Sequence, residues 1–475
     1  MSLKAGIEKR TTMTKAEIFF NDIKDKKVAF IGTGVSHREL INLFLSKGIN
    51  VVICDKKDKE HFDAAIYDDF KSKGAEFSLG ENYLDEIFNC DIVFRTPGMY
   101  YYNDVLTKAR EQGIVVTSEM EVFFDLCPCK IYAVTGSDGK TTSTTLISEF
   151  LKREGRNVHL GGNIGKALLP IIESIKETDV AVVELSSFQL ISMRKSPDTA
   201  VVTNISPNHL DVHGTMEEYI DAKCNLLRHQ NAFSKTVLNF DNEETMKLAS
   251  LVRGKLVCFS LTRQVERGSF LREDGMLCYS ENGKVTEIVH KDDIKIPGIH
   301  NVDNYLTAIA AVWGEVSTDS MVYVAKNFGG VEHRIEFVRE LDGVRYYNDS
   351  IATSPTRVIA GLNSFDKKII IIAGGYDKKI PFEPLAKPVN ERVKTIILMG
   401  ATADKIEKAV TDCEYYPASG LEILHVNSME EAVKTAKEIA KDGDIVSLSP
   451  ACASFDMYPM FEARGNHFKK LVNEL

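Results

Sequence analysis

Between Lys130 and Thr145 the chain reads Lys-Ile-Tyr-Ala-Val-Thr-Gly-Ser-Asp-Gly-Lys-Thr-Thr-Ser-Thr-Thr. A β-branched, apolar run gives way to a turn bounded by Gly136 and Gly139. Lys140 and five hydroxyl residues then open a periodic apolar segment, Leu146 to Leu151. The pattern requires a strand, a tight loop and a helix in that order. In that arrangement, backbone N–H groups freed by the glycines and by the helix N-terminus gather around an anion. Lys140 is placed to reach β- and γ-phosphates, and the Thr141 hydroxyl to ligate Mg2+. The longer Walker spacing has glycine where Val134 stands, so the loop is a shortened G-x-x-G-K-T-T form. A glycine turn before an ordinary helix is the plainer alternative. The coincidence of strand, turn, Lys-Thr pair and helix speaks against it.

At 475 residues the chain is too long for one core, and roughly two to four domains are expected. A net charge of −10 excludes a sequence-independent nucleic-acid binder, which needs a basic footprint. Apolar runs fall well short of a membrane span, and no secretory signal pattern opens the chain, so no membrane insertion is expected. The nine cysteines form no Cys-x-x-Cys pair, although Cys127 and Cys129 are one residue apart. Such a scattered, odd set reads as reduced thiols of a cytoplasmic protein.

Residues 1–25 are polar, lysine-rich and weakly patterned, which reads as a loosely held leader. Lys27–Ile31 is a buried-type strand followed by Gly32-Thr33-Gly34-Val35-Ser36-His37, a helical pattern (Leu40, Ile41, Phe44, Leu45) and a second strand from Asn50 to Cys54 ending in Asp55-Lys56. This β-α-β unit has the look of a dinucleotide fold, with His37 at the third glycine position. A nucleotide-type ligand and a tight structural turn both remain open here. Asp91–Phe94 then runs into Arg95-Thr-Pro-Gly98, a loop of the kind where such ligands lie.

After the phosphate loop comes the turn cluster Gly161-Gly-Asn163-Ile-Gly165. The strand Val180–Glu184 ends in a carboxylate, which a buried apolar strand does not carry without a reason; Mg2+ ligation or helix capping would supply one. Strand Ala200–Asn204 leads into a loop, Asn208-His209-Leu-Asp211-Val-His213, whose histidines and aspartate suggest function. In the helix Met216–Arg228, Lys223 reads from physics alone as a surface lysine. Residues 250–297 read as a β excursion, and Asn301 and Asn304 as base or phosphate contacts or as caps. Beyond Gly329-Gly330 lie Arg334, a strand Val344–Tyr347 ending in Asn348-Asp349-Ser350, helix 355–363, strand Lys368–Ala373, a turn through Asp377-Lys378-Lys379, strand Val393–Met399, helices 402–410 and 429–441, and strand Asp444–Leu448 entering Ser449-Pro-Ala-Cys-Ala-Ser454. Strands alternating with helices imply parallel sheets with covered faces, binding ligands at strand C-termini.

Taken in order, the motifs resemble the Mur ligase family over essentially the whole chain after the leader. They are Thr135-Gly-Ser-Asp-Gly-Lys-Thr-Thr, Glu184-Leu-Ser-Ser-Phe-Gln, Asn208-His-Leu-Asp-Val-His-Gly214, Tyr219-Ile-Asp-Ala-Lys223, His300-Asn-Val-Asp-Asn304, His333-Arg334, Tyr347-Asn-Asp-Ser350, Ser449-Pro-Ala-Cys-Ala-Ser454 and Phe461-Glu-Ala-Arg-Gly465. The residues after Glu184 resemble the family's D-glutamate-adding branch. The resemblance implies an α/β protein of three domains: a Rossmann-like UDP-sugar domain (1–118), a central P-loop ATPase with a mostly parallel sheet (119–329), and a Rossmann-like C-terminal domain for the amino acid (330–475). It implies ATP-dependent addition of D-glutamate to UDP-N-acetylmuramoyl-L-alanine, a step in peptidoglycan precursor synthesis, by a cytoplasmic enzyme expected to be a monomer.

By the same resemblance Gly136, Ser137, Asp138, Gly139, Lys140, Thr141 and Thr142 hold ATP together with Asn304, Arg334 and Asp349. Two Mg2+ positions draw on Thr141, Glu184, His209 and Lys223, and Lys140, Glu184, His209 and Lys223 form the catalytic set. Thr33, Gly34, Val35, Ser36, Asp55 and Lys56 meet the uridine diphosphate, and Asn163 a phosphate or the substrate. Thr353, Lys378, Ser454 and the backbone near Phe461 form the amino-acid pocket. A hinge near Gly329-Gly330 would bring Arg334 and Asp349 to ATP on closure. Lys223 matches the family's carbamylated lysine; an ordinary lysine near pKa ~10.4 is neutral about once in a few thousand at pH 7, so the adduct needs stabilising once made. An unmodified ammonium binding phosphate is the other reading.

One departure stands out. Many family members read Asn-Asp-Ser-Lys-Ala-Thr-Asn where this chain has Asn348-Asp-Ser-Ile351-Ala-Thr-Ser354, so a cation is missing or supplied by Lys379 or Arg357. Two other functions fit these motifs less well. A folate-type ligase is opposed by the Glu184 segment and the nucleotide-like first domain. A nicotinamide oxidoreductase read from Gly32 and Gly34 leaves the phosphate loop unexplained.

Overall fold

The computed structural model describes residues 13–207 and 210–475. They form two compact units, one running to Val289 and including Asp303–Val324, the other comprising His290–Val302 and Ala325–Leu475. No helix among the described residues is long and apolar enough to cross a membrane.

The first unit holds two sheets. One contains β1 (Lys27–Ile31), β2 (Asn50–Asp55), β3 (Glu76–Leu79), β4 (Ile92–Phe94) and β5 (Val115–Thr117), in the order β3-β2-β1-β4-β5. All pairs are parallel. Its central strands β1, β2 and β4 are mostly buried apolar runs because helices cover both faces. Phe30, Phe44 and Phe94 lie with ring centres 4.9–5.3 Å apart and are fully buried. Each contributes roughly 1.5–3 kcal/mol of apolar burial.

The stretch expected to be a loose leader is ordered over its described part. Lys15–Asp22 is a helix started by a capping box, in which Thr14 Oγ1 accepts from the Glu17 amide and Glu17 returns a bond to the Thr14 amide. Phe20 then packs edge-on to Phe44 at 5.6 Å. Residues 1–12 lie outside the described set.

The second sheet has nine strands, in the order β14-β13-β12-β11-β10-β9-β6-β8-β7. They are β6 (Lys130–Thr135), β7 (Val158–Gly162), β8 (Val180–Glu184), β9 (Thr199–Val202), β10 (Lys235–Asn239), β11 (Lys255–Ser260), β12 (Gly268–Leu271), β13 (Met276–Glu281) and β14 (Lys284–His290). The sequence suggested an excursion over residues 250–297. In line with that reading, strands β11 to β14 belong to this same domain and extend its sheet, β12 and β13 pairing antiparallel. Phe123 and Met120, from the helix Glu119–Leu126, join the first sheet's core to that of the second.

The second unit carries β15 (Glu336–Leu341), β16 (Val344–Asn348), β17 (Ile369–Ala373), β18 (Val393–Leu398), β19 (Glu422–His425) and β20 (Ile445–Leu448), in the order β15-β16-β20-β17-β18-β19. Only the β15–β16 pair is antiparallel among them. The C-terminal helix Phe461–Glu474 buries Phe468 and Val472 against this sheet.

Candidate active site

The β6 strand delivers the glycine loop to the helix Lys140–Arg153. Gly136 has φ 148° and Gly139 φ 75°, and a Cβ on either would collide: 2.0 Å from Thr203 Oγ1 and 2.5 Å from Asn304 Oδ1 respectively. Close approach as well as dihedral angle therefore demands glycine. The loop is braced from β9. Thr203 Oγ1 donates to Asp138 O (2.5 Å), and Asn204 Oδ1 accepts from the amides of Ser137 (3.2 Å) and Asp138 (2.8 Å). Ser137 Oγ donates to Ser206 O at 2.9 Å and lies 3.0 Å from the Tyr219 hydroxyl. Those two amides thus point at Asn204. The first helical bond runs from Ser143 N to Gly139 O (2.9 Å), so the first turn of this helix presents its amides at the loop. Lys140 Nζ donates to Ser137 O at 2.8 Å, and Asn304 Oδ1 accepts from Ser143 Oγ at 3.1 Å.

Glu184 ends β8 opposite Val134 of β6 and is buried. Its Oε2 accepts from Thr141 Oγ1 and its Oε1 from Asn163 Nδ2, both at 2.7 Å. Asn163 also donates its backbone N–H to Glu184 O at 2.8 Å. Hydroxyl, carboxylate and amide oxygens form a hard donor set, which fits Mg2+ and not a thiophilic metal.

Lys223, the default surface lysine of the sequence reading, is 1% exposed. Its Nζ donates to Gly136 O (2.9 Å) and Thr135 Oγ1 (3.4 Å) and stands 4.5 Å over the Tyr219 ring. Burial, then the neighbouring Lys140 charge, brings it down to about 7 against the pull of Asp138 and Glu184. The helical period placed Lys223 mid-helix but carried no information on depth. His209 lies outside the described residues. The segment expected to be a loop includes a helical turn, Leu210–His213. There His213 is a core group, stacked on Phe188 at 5.0 Å with Nε2 2.8 Å from Ser187 Oγ.

In the first sheet, Gly32 follows β1 at φ 79° and its N–H donates to Cys54 O at 2.8 Å. Arg38 Nε donates to Thr33 O (2.9 Å), and Gly34 caps the helix Val35–Ser46, which begins with Val35 and Ser36. His37 is buried with Nδ1 3.0 Å from Gly32 O, and burial lowers its pKa, so the ring is neutral. Asp55 ends β2 with Oδ1 accepting from Lys57 N (3.0 Å), next to the exposed Lys56. Arg95, read as part of a ligand loop, is an internal brace. Its Nη2 donates to Phe188 O (2.9 Å) and Ser192 Oγ (2.7 Å), and the side chain is 1% exposed.

The second unit holds the remaining candidates. Arg334 sits between His333 (φ 62°) and Ile335 (φ 42°), two residues in left-handed conformation. Asp349 is buried, accepts from Ile335 N at 3.2 Å, and is pushed up to about 7 by burial in spite of Arg334 and Arg357. Lys378 Nζ donates to Thr353 Oγ1 (3.2 Å) and Thr353 O (3.3 Å). The Ser454 hydroxyl is buried with no hydrogen-bond partner. A buried hydroxyl left so costs free energy, which a ligand carboxylate could recover.

Phe461 O accepts from Ser350 Oγ at 2.8 Å. The residue missed by the sequence reading is Arg464. Its Nε donates to Ser350 Oγ (3.0 Å), Nη2 to Ser350 O (2.9 Å) and Cys452 O (3.1 Å), and Nη1 to Ala453 O (3.1 Å). It ties the segment after Asp349 to the one before Ser454. Its position in Phe461-Glu-Ala-Arg464 was the available signal. Arg357 Nη1 donates to Ile351 O at 3.2 Å, which brings a cation to the place where the family's lysine is absent.

Comparison with known proteins bears on the whole chain. Residues 134–312 match the family described as Mur ligase middle domain, and residues 333–452 the family described as Mur ligase, glutamate ligase domain. The chain is 53% identical over 464 residues to the UDP-N-acetylmuramoylalanine–D-glutamate ligase of Acetivibrio thermocellus, covering 97% of this chain and 99% of that protein. It is 50% identical to the protein of the same name from Clostridium acetobutylicum, covering 96% and 98%. Among solved structures it is similar to UDP-N-acetylmuramate-alanine ligase MurC of Thermotoga maritima, with a TM-score of 0.57, 17% identity, and coverage of 94% of this chain and 99% of that one. At that identity the likeness concerns the fold.

Proposed function

The chain belongs to the Mur ligase family, and from that premise we propose that it joins D-glutamate to UDP-N-acetylmuramoyl-L-alanine at the expense of ATP. The observation that carries the reading is near-complete overlap, at 53% identity, with a relative named for that reaction. Beside it stands the juxtaposition of Lys140, Thr141 and Glu184 at the end of one parallel strand pair.

A carboxylate is a poor electrophile because oxide is its leaving group. Transfer of the γ-phosphoryl of ATP to the alanyl carboxylate gives an acyl phosphate, which the amine of D-glutamate attacks with loss of phosphate. The protein's part is positioning and charge neutralisation. Gly136 and Gly139 open the loop, the Lys140–Thr142 amides and Lys140 Nζ take phosphate oxygens, and Asn304, Arg334 and Asp349 hold the nucleotide. Ser137 and Asp138 shape the loop through Asn204. Thr141, Glu184, His209 and Lys223 would hold Mg2+ in two positions; when bound, the metal offsets phosphate charge. The turn Thr33–Ser36 with Asp55 and Lys56 serves the uridine diphosphate. Asn163 orients Glu184.

Lys223 is the residue whose environment most favours modification. At about 7 a large fraction of its amine is neutral near pH 7, as carbamylation by CO2 requires. Native mass spectrometry with and without bicarbonate tests this: an adduct that appears only with bicarbonate supports it, and an unmodified lysine in both opposes it. In the second unit Lys378 and Thr353 offer a cation and a hydroxyl, Ser454 an unpartnered hydroxyl, and Arg357 a second cation for the carboxylates of D-glutamate. The division into 1–118, 119–329 and 330–475 is the corresponding functional partition, in a monomer working in the cytoplasm where these precursors are made.

The deciding experiment is ADP release with UDP-N-acetylmuramoyl-L-alanine while D-glutamate, L-glutamate and meso-diaminopimelate are exchanged. Release should require D-glutamate. Release with a folate acceptor but not with the UDP-sugar would overturn the reading.

A further inference from the structure

The connector between the helix Glu119–Leu126 and β6 is Cys127-Pro128-Cys129. Its two thiols are the only cysteine sulfurs found in contact among the described residues, with Sγ atoms 3.5 Å apart. Buried cysteines are ordinarily inert small hydrophobes, and Cys54, Cys90, Cys224, Cys258, Cys278 and Cys452 are buried in that manner. The pair differs in two respects. Pro128 fixes the intervening backbone, so the sulfurs face each other without a folding step. Cys129 also lines a surface recess of about 480 Å3 with the exposed Pro128 and Asp198 and the half-buried Lys130 and Lys235, and the two cysteines retain 8% and 6% exposure.

We infer that Cys127 and Cys129 form a vicinal dithiol that hydrogen peroxide converts to an intramolecular disulfide. The Cys127 thiolate attacks one peroxide oxygen and the O–O bond breaks, giving a sulfenic acid and, after protonation, water. The Cys129 sulfur then attacks the Cys127 sulfur, the S–O bond breaks, and the Cys129 proton leaves with hydroxide as a second water. Two thiols are oxidised and one peroxide is reduced to two waters. The order of attack follows from the contact. The hydrogen bond between the two sulfurs holds the Cys127 thiol below the ordinary range and pushes that of Cys129 up. The closed ring would span the connector that enters the phosphate-loop strand.

The test is intact-mass and peptide analysis of the reduced full-length protein after exposure to hydrogen peroxide. The expected product loses two hydrogen masses, about 2 Da, on the peptide containing residues 127–129, and regains them with a thiol reductant. Cys129→Ser should stop at a sulfenic acid at Cys127 that a 1,3-dione traps; Cys127→Ser should yield neither product. Cys413, the one cysteine among the described residues that is not buried, is the internal control. Oxidation of Cys413 while Cys127 and Cys129 remain alkylatable thiols would overturn the inference, as would a disulfide joining different cysteines. The wild-type alkylation pattern decides the matter even if either variant fails to fold.

Discussion

The first unit contains the same backbone device twice, and the two copies differ in what surrounds them. After β1 and after β6 the chain makes a glycine turn into a helix. In both cases a buried basic side chain donates to the first glycine's carbonyl: His37 to Gly32 O at 3.0 Å, and Lys223 to Gly136 O at 2.9 Å. Burial lowers the pKa of both bases. At the first turn a Cβ on Gly32 would meet nothing within 4 Å, and among the described residues no acid is bonded to the turn as Glu184 is to the second. At the second, Thr203, Asn204, Asn304 and Glu184 press on the loop from adjacent elements. A glycine turn is therefore only a place to put an anion. The side chains brought to it by neighbouring strands decide whether phosphoryl chemistry can follow.

The largest effect that would sharpen this contrast is expected from Lys140→Ala, which removes the only side-chain cation of the phosphate loop. ADP release should fall on the order of 10³-fold in kcat with the fold intact by circular dichroism, as for loss of a transition-state donor. A parental rate would end the assignment of the second turn. Lys223→Met should come next, with a loss on the order of 10²-fold in kcat. It should also change stability against pH in a defined sense. Lys223 binds its proton less tightly folded, at about 7, than unfolded, at 10.5. Its contribution is therefore fully present above pH 10.5 and is lost as pH falls towards 7. Denaturant titrations across that window should show a rise in the parent that the Met variant lacks.

Matched alanines would separate backbone from packing. Gly32→Ala pays only for a left-handed residue, about 1 kcal/mol. Gly136→Ala adds the collision with Thr203 Oγ1 and Asn204 O and should cost about 2–4 kcal/mol. Equal midpoints in urea would show that the second turn is no more tightly enclosed than the first.

These turns were legible in the sequence because glycine, lysine and hydroxyl residues act locally. Strands Lys27–Ile31 and Val180–Glu184 and the helix Met216–Arg228 have the limits their apolar pattern suggested. Edge strands such as Glu76–Leu79 and Glu422–His425 escaped because half-exposed strands mix polar and apolar residues. Depth was the other blind spot. Nothing in a periodic pattern says that Lys223 is inside, that Arg95 braces instead of binding, or that Arg464 gathers four backbone and side-chain oxygens. Each of these depends on residues far away in the chain. The helix at Lys15 is a different case: Thr14 and Glu17 are three apart, so its capping signal was present and was outweighed by the lysine-rich composition.

The smallest expected effect tests the first turn by itself. His37 stands where a dinucleotide turn has its third glycine, and its imidazole holds the Gly32 carbonyl and packs edge-on to Phe30, 5.4 Å away between ring centres. It touches no atom that reacts, so its role under the proposed function is to position the turn for the uridine diphosphate. His37→Gln keeps a donor but loses the aromatic contact. KM for the UDP-sugar should rise a few-fold, about 1 kcal/mol, with kcat unchanged. Because the folded pKa of His37 lies below 6.5, its contribution to stability is present above pH 6.5 and is lost as pH falls below it. The Gln variant should therefore lose less stability than the parent on acidification. A fall in kcat comparable to that of Lys140→Ala would place His37 in the chemistry and erase the distinction between the two turns.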